Sequence, residues 1–185
     1  MAVTLVATVG GATSNSYLTL AAAEALAEYQ LEMGGWGTAT NANKEKALIA
    51  ATGYLDELAW IGSKTATTQA LLWPRTDATC GDHSYADNVI PGPVQRGTLL
   101  LADALLVDPT ALNVSNAAIG ELIPGIPNAS LKSATVDVVS LEFREGGAVA
   151  NRNALDVVPG LRNLFGCLCT TPATSGARTL AVYRG

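Results

Sequence analysis

From Thr19 to Glu32 apolar residues recur every three or four positions. Ala22, Leu26, Tyr29 and Met33 share one face of an expected helix that the Thr19 hydroxyl is placed to cap. Glu24, Glu28 and Glu32 fall on another face, four residues apart each time. Like charges at that spacing repel by about a few tenths of a kcal/mol per pair. They read either as a solvated face or as an acidic stripe, facing a channel or an interface, that a ring of subunits would repeat. Gly34-Gly35-Trp36-Gly37 ends this helix. A second is expected over about 44–59, capped by Asn41 or Asn43, with Leu48, Ala51, Leu55 and Leu58 as its core stripe. Lys44 and Lys46 stand at its start and Asp56 and Glu57 near its end, against the helix dipole, so partners are needed from elsewhere.

Residues 1–9 alternate weakly and look β-like, and residues 60–92 form a long connection. Pro91 and Pro93 open a third helix that runs from Val94 to about Val107 and is apolar nearly all round. Such a helix is buried on several sides or covered by a neighbouring subunit, which makes Leu99, Leu101 and Leu105 candidate interface residues. After a loop with three prolines, residues 134–144 alternate, with Val139, Leu141 and Phe143 on one side. That pattern is a half-buried strand, one arm of a hairpin with Gly146-Gly147 as the turn beyond it, and it adds Leu141 and Phe143 to the candidate interface. A last helix is expected over about 158–169. The tail from Thr170 to Gly185 ends in a short β-like run, in which Leu180, Val182 and Tyr183 could add a strand to a neighbour's sheet edge, with plain disorder as the alternative. The fold class expected is therefore mainly α: a compact bundle of about four helices over residues 1–169, with a small hairpin at about 131–147 and an extended arm at 170–185.

Composition sharpens the expectation of neighbours. Across 185 residues 49% are hydrophobic and only 15% charged, fewer than a lone globule ordinarily uses to cover itself. The net charge is −5 and no basic stripe appears, which disfavours a protein that grips nucleic acid by neutralising phosphates. Three cysteines, an odd number, without a secretory signal point to a reducing compartment. The longest apolar run, Leu99 to Val107, is interrupted by Asp103 and is too short to cross a membrane.

No catalytic, metal-binding or cofactor-binding set emerges. His83 is the one histidine, in a polar loop and with no G-x-S-x-G elbow in the chain, so it reads as a solvated loop histidine rather than a catalytic one. Cys80 and His83 with Cys167 and Cys169 have the residue types of a zinc site. Helical residues two apart point about 200° apart, however, so buried free thiols at 167 and 169 are the better account. Gly62-Ser63-Lys64-Thr65 has the wrong order for a phosphate loop. Asp56 and Glu57 diverge on a helix and do not form an acid/base pair. In "QALLWPRT", at 69–76, Pro74 turns the chain. Trp73 is then placed to cover the seam between the second and third helices and Arg75 to reach nearby carbonyls, so the trio reads as a structural turn rather than a ligand grip.

The ordered series Asn15-Ser16-Tyr17, Trp36-Gly37, "NKEKALIAATGYLDELAWIGSKT" at 43–65, "QALLWPRT" and "VIPGPVQRGTLLLA" at 89–102 resembles a family of tailed-phage head-tail connector subunits. These adaptor or head-completion proteins include relatives labelled DnaT-like single-stranded-DNA-binding. The similarity covers roughly residues 10–107 well, the hairpin region loosely and the tail hardly. It implies a structural, non-enzymatic virion protein at the head-tail junction, assembled in the host cytoplasm. About twelve copies would form a ring under the portal protein and present a docking rim to the tail or its terminator or stopper protein. DNA would pass through an acidic bore without tight binding, because such a bore offers phosphates no cations. The alternative is the label read literally, a module for single-stranded DNA, for which Trp36, Trp60, Tyr85, Arg96 and Lys64 could supply some of the aromatics and cations, although the tryptophans read as mostly core.

Overall fold

The structure, a computed structural model, describes residues 4–31, 33–112, 133–136, 139–142, 154–158 and 160–169. Its helices are α1 (Leu20–Ala27), α2 (Asn41–Asp56), α3 (Gly92–Val107), α4 (Ala154–Val157) and α5 (Leu161–Phe165), the last running into a 3₁₀ turn, Gly166–Leu168. Three antiparallel sheets of two strands each complete the described elements: β1 (Ser63–Lys64) with β2 (Arg75–Thr76), β3 (Thr79–Cys80) with β4 (His83–Ser84), and β5 (Ser133–Val136) with β6 (Val139–Glu142).

This is not the compact bundle of about four helices that the periodicity predicts. Two causes are visible. The expected last helix is broken, because Gly160 takes φ +95°, a conformation that ends one turn and starts the next, and Gly166 takes φ +45°. The 60–92 connection is also no plain loop. It folds into the β1–β2 and β3–β4 ladders, whose strands are too short to show any alternation in sequence. Residues 4–9 form no strand. The Asn15 side chain holds them instead, accepting from Val6 N at 2.8 Å and donating to the Thr4 carbonyl at 2.9 Å.

The helices keep their expected identity but shift at their ends. Thr19 caps α1, its hydroxyl accepting from Ala22 N at 3.1 Å, and α1 stops at Ala27 rather than near Glu32. Thr40, not an asparagine, caps α2, accepting from Asn43 N at 3.4 Å. Leu48, Ala51 and Leu55 are fully buried on α2 against α3, where Val94, Leu99, Leu101 and Ala102 are fully buried in turn. Each such leucine contributes roughly 2 kcal/mol by leaving water. α5 closes the other side of α3 at Gly97, where an added Cβ would run into the Phe165 ring.

In the β5–β6 hairpin, Val136 pairs with Val139 and Ser133 with Glu142. The reversal therefore falls between residues 136 and 139 and splits the expected single strand 134–144 into two arms, rather than placing the turn at Gly146-Gly147. The expected arm at 170–185 lies outside the described residues.

Candidate nucleic-acid interface

Trp73-Pro74-Arg75 faces inward. Trp73 is 1% exposed and Arg75 8%, and the Trp73-Pro74 peptide is cis. The Arg75 guanidinium donates to the carbonyls of Ile61 (2.6 Å), Gly62 (2.6 Å), Leu72 (3.2 Å) and Trp60 (3.3 Å). A planar fork with five donors suits this task, because it ties an irregular backbone together from one point. Burial draws the guanidinium below its ordinary pKa, while Tyr17 and Asp56 act in the opposite direction. Beside it, Trp60 sits edge-on to both Trp73 (5.7 Å between centroids) and Phe165 (5.1 Å). Two of the three tryptophans are used here, and neither offers a face to a ligand.

The third, Trp36, is 2% exposed and belongs to a polar clamp among α1, α2 and α3. Glu24 accepts from Lys44 Nζ at 2.7 Å and from the Trp36 indole at 3.1 Å, while Lys44 Nζ stands 5.1 Å from the Trp36 ring centroid. Asp103 of α3 accepts from Gly35 N and Trp36 N at 2.9 and 2.7 Å. Lys44 therefore finds outside its helix the partner that its place at the start of α2 requires. The same contact takes Glu24 out of the expected acidic stripe: Glu28 is exposed, and Glu32 lies outside the described residues. Leu99 and Leu101 are fully buried and Leu105 is 8% exposed, all within the protomer, because α2 and α5 cover the helix that seemed to need a neighbour. The Leu141 side chain, Phe143, Leu180, Val182 and Tyr183 lie outside the described residues.

The groups left outward are elsewhere. The β3–β4 hairpin carries exposed His83, whose ring stands edge-on to half-buried Tyr85, 4.5 Å between centroids. Tyr85 N donates to the Ala78 carbonyl at 3.0 Å, which closes the hairpin behind the pair. The Thr65 hydroxyl donates to the Asp87 carbonyl at 2.8 Å, which brings the strand of Lys64 alongside. Lys64 itself is half-buried, its Nζ donating to the Gln69 carbonyl at 2.8 Å. On the helical side, Tyr29 is 84% exposed just beyond α1, and the exposed Arg96 of α3 donates to the neighbouring Gln30 side chain at 3.4 Å. Of the five residues named for a DNA-binding reading, Arg96 is exposed, Tyr85 and Lys64 are half-buried, and Trp36 and Trp60 are core, as the reading of the tryptophans expected.

Sequence reasoning missed Tyr29, placing it on one helix face with Ala22, Leu26 and Met33 by assuming that α1 continued past Ala27. The hydrogen bonds Tyr29 N to Leu26 O and Gln30 N to Ala27 O tighten the chain into three-residue turns there, which rotates Tyr29 outward. Among the described residues no cluster of His, Cys, Asp or Glu could hold a metal ion, and no helix is long and apolar enough to cross a membrane. Nor are both 167 and 169 free thiols: Cys80 and Cys167 form a disulfide and Cys169 is buried.

No curated protein and no solved structure matches the chain. A family model does match, over residues 1–185, and its description reads "Putative DnaT-like ssDNA binding protein". That finding overturns the head-to-tail adaptor as the main reading of function and favours the single-stranded-DNA alternative. The match spans the full sequence, and the protein belongs to this DnaT-like family.

Proposed function

We propose that the protein binds single-stranded DNA, with stacking on exposed aromatic rings supplying most of the affinity. The family match over the whole chain carries this reading. The surface chemistry supports the mode of binding. Stacking accepts any base, because every base has a π face, and contributes about 1–3 kcal/mol per base. Exposed His83 with half-buried Tyr85, and exposed Tyr29, whose neighbour Gln30 accepts from exposed Arg96, are described rings that can take part. Exposed Asp82 and Asp87 flank the first pair, so phosphate neutralisation is a minor part of binding.

Fluorescence anisotropy with a labelled oligothymidylate, against a duplex of equal length, tests the proposal. Single strands are expected to bind in preference. Two neutralised phosphates give a shallow salt slope of about −1.4 in log–log form. Tyr29→Ala should weaken binding roughly tenfold while leaving the melting temperature in place, and Tyr85→Ala should weaken it as much with a small loss of melting temperature, because its half-buried ring also packs against the core. No single-strand binding at low salt, or equal binding by both alanine variants and the parent, would overturn the reading.

A further inference from the structure

We propose that the Cys80–Cys167 disulfide is a redox-cleavable staple that decides whether the aromatic hairpin β3–β4 is held against the α5 end of the molecule. The two Cα atoms are 5.6 Å apart, inside the range that a disulfide spans without moving the backbone. Cys80 lies on β3 and is partly exposed, and Cys167 lies on the 3₁₀ turn after α5 and is exposed. A small dithiol can therefore reach the bond.

The two sides of the staple differ in what else holds them. The α5 side is anchored without it: Leu161, Phe165 and Leu168 are buried, Ile61 N donates to the Leu168 carbonyl at 2.9 Å, and Trp60 bridges to Cys169. The hairpin side has two strands of two residues each, with exposed Gly81, Asp82, His83 and Ser84. Elements with little buried apolar surface and exposed backbone hydrogen bonds open locally at low free energy. Cutting the bond should therefore loosen the hairpin and leave the helices as they are.

The third cysteine does not interfere. Cys169 is buried two residues from Cys167, and burial pushes its thiol up to about 12. Buried and held protonated, it is a poor nucleophile, because the thiolate is the attacking form. Reduction is thus confined to one pair. One thiolate of the dithiol attacks Cys167 Sγ, and Cys80 leaves and takes up a proton. The second thiolate then attacks the mixed disulfide, releasing Cys167 and closing the reductant into its own disulfide. Two electrons pass from the dithiol to the protein.

The full chain, purified without reductant and treated with diamide, is unfolded, alkylated and digested. The expected result is a linked peptide pair holding Cys80 and Cys167, with alkylation at Cys169 alone. After dithiothreitol all three cysteines should be alkylated. Amide exchange in the folded protein is then compared in both states. The Thr79–Tyr85 amides should exchange at least tenfold faster after reduction, while those of α2 and α3 stay within twofold. Cys80→Ser and Cys167→Ser should each show the fast hairpin without reductant. Three alkylated cysteines before reduction, a pair that includes Cys169, unchanged hairpin exchange, or loss of protection in α2 and α3 would each overturn the proposal. None of these readouts involves DNA, so they stand apart from the DNA-binding test.

Discussion

The helical body and the 60–90 layer are stabilised in different ways. In α1, α2 and α3, apolar side chains meet across helix faces, and the few buried polar groups close local gaps: Glu24 with Lys44 and Trp36, and Asp103 with the backbone of residues 35 and 36. In the 60–90 layer the backbone is too irregular to satisfy itself. Single side chains replace the missing ladder, Arg75 on four carbonyls and Gln69 on the Leu71 and Pro74 carbonyls at 2.9 and 3.0 Å. A helix distributes its backbone bonds over many residues, whereas this layer concentrates them on two or three. The layer should therefore be sensitive at those points and tolerant elsewhere, which leaves its outward residues free for contacts with other molecules.

The sharpest way to break that contrast is Arg75→Ala. It strips donors from the carbonyls of Trp60, Ile61, Gly62 and Leu72 at a site that is 8% exposed. Each buried acceptor left unpaired costs about 1–3 kcal/mol, and water will reach some of them, so a loss of about 3–5 kcal/mol is expected from urea unfolding at constant slope. Arg75→Lys should recover less than half, because an ammonium cannot span the fork. A loss under about 1 kcal/mol in the alanine variant would show that the layer does not depend on this side chain.

Two glycines sharpen the same comparison inside the helical body, with opposite signs. Gly97→Ala places a methyl in the Phe165 ring, and overpacking of this kind costs about 1–3 kcal/mol. Gly53→Ala, on the exposed face of α2 with nothing within 4 Å of the new Cβ, should stabilise by about 0.5–1 kcal/mol through helix propensity. For a chain of this size those values correspond to melting shifts of roughly 2–12 °C down and 1–4 °C up. Equal shifts in the two variants would mean that α5 is not seated on α3 as described.

How much of this was legible in the sequence follows the same division. Helix position was readable where the chain is periodic: Thr19 as the α1 cap, Leu48, Ala51 and Leu55 as the inner face of α2, and Pro91 and Pro93 at the start of α3. The apolar excess of α3 was visible too, but its cause was not. A helix covered by α2 on one side and α5 on the other reads like one covered by a second subunit, because periodicity records burial and not the identity of the covering group. The 60–90 layer was nearly opaque, since two-residue strands show no alternation and the Cys80–Cys167 pair spans 87 residues. Tyr85 and Arg96 could be named as candidate DNA-contacting groups from residue type alone, and the structure leaves Arg96 exposed and Tyr85 half-buried. Tyr29 could not, because its exposure depends on where α1 ends.

The smallest expected effect lies in the clamp of the helical body and depends on pH. The hydrogen bond from Lys44 holds the Glu24 carboxyl below its ordinary pKa of 4.5, the Trp36 indole adds to this, and burial pushes the other way. A carboxylate with a lowered folded pKa stabilises the fold above its unfolded value and loses that contribution as pH falls through the folded one. The stability difference between the parent and Glu24→Gln should be level from about pH 7 to 5, then shrink progressively below about pH 4.5. Its size at neutral pH should not exceed about 1 kcal/mol, because the Glu24 side chain is 42% exposed and water screens the pair. Urea midpoints at a series of pH values measure it, and the tryptophan emission that Trp36→Phe removes should change over the same acid range. A difference that persists unaltered to pH 2 would mean that the charge of Glu24 does no work in the clamp.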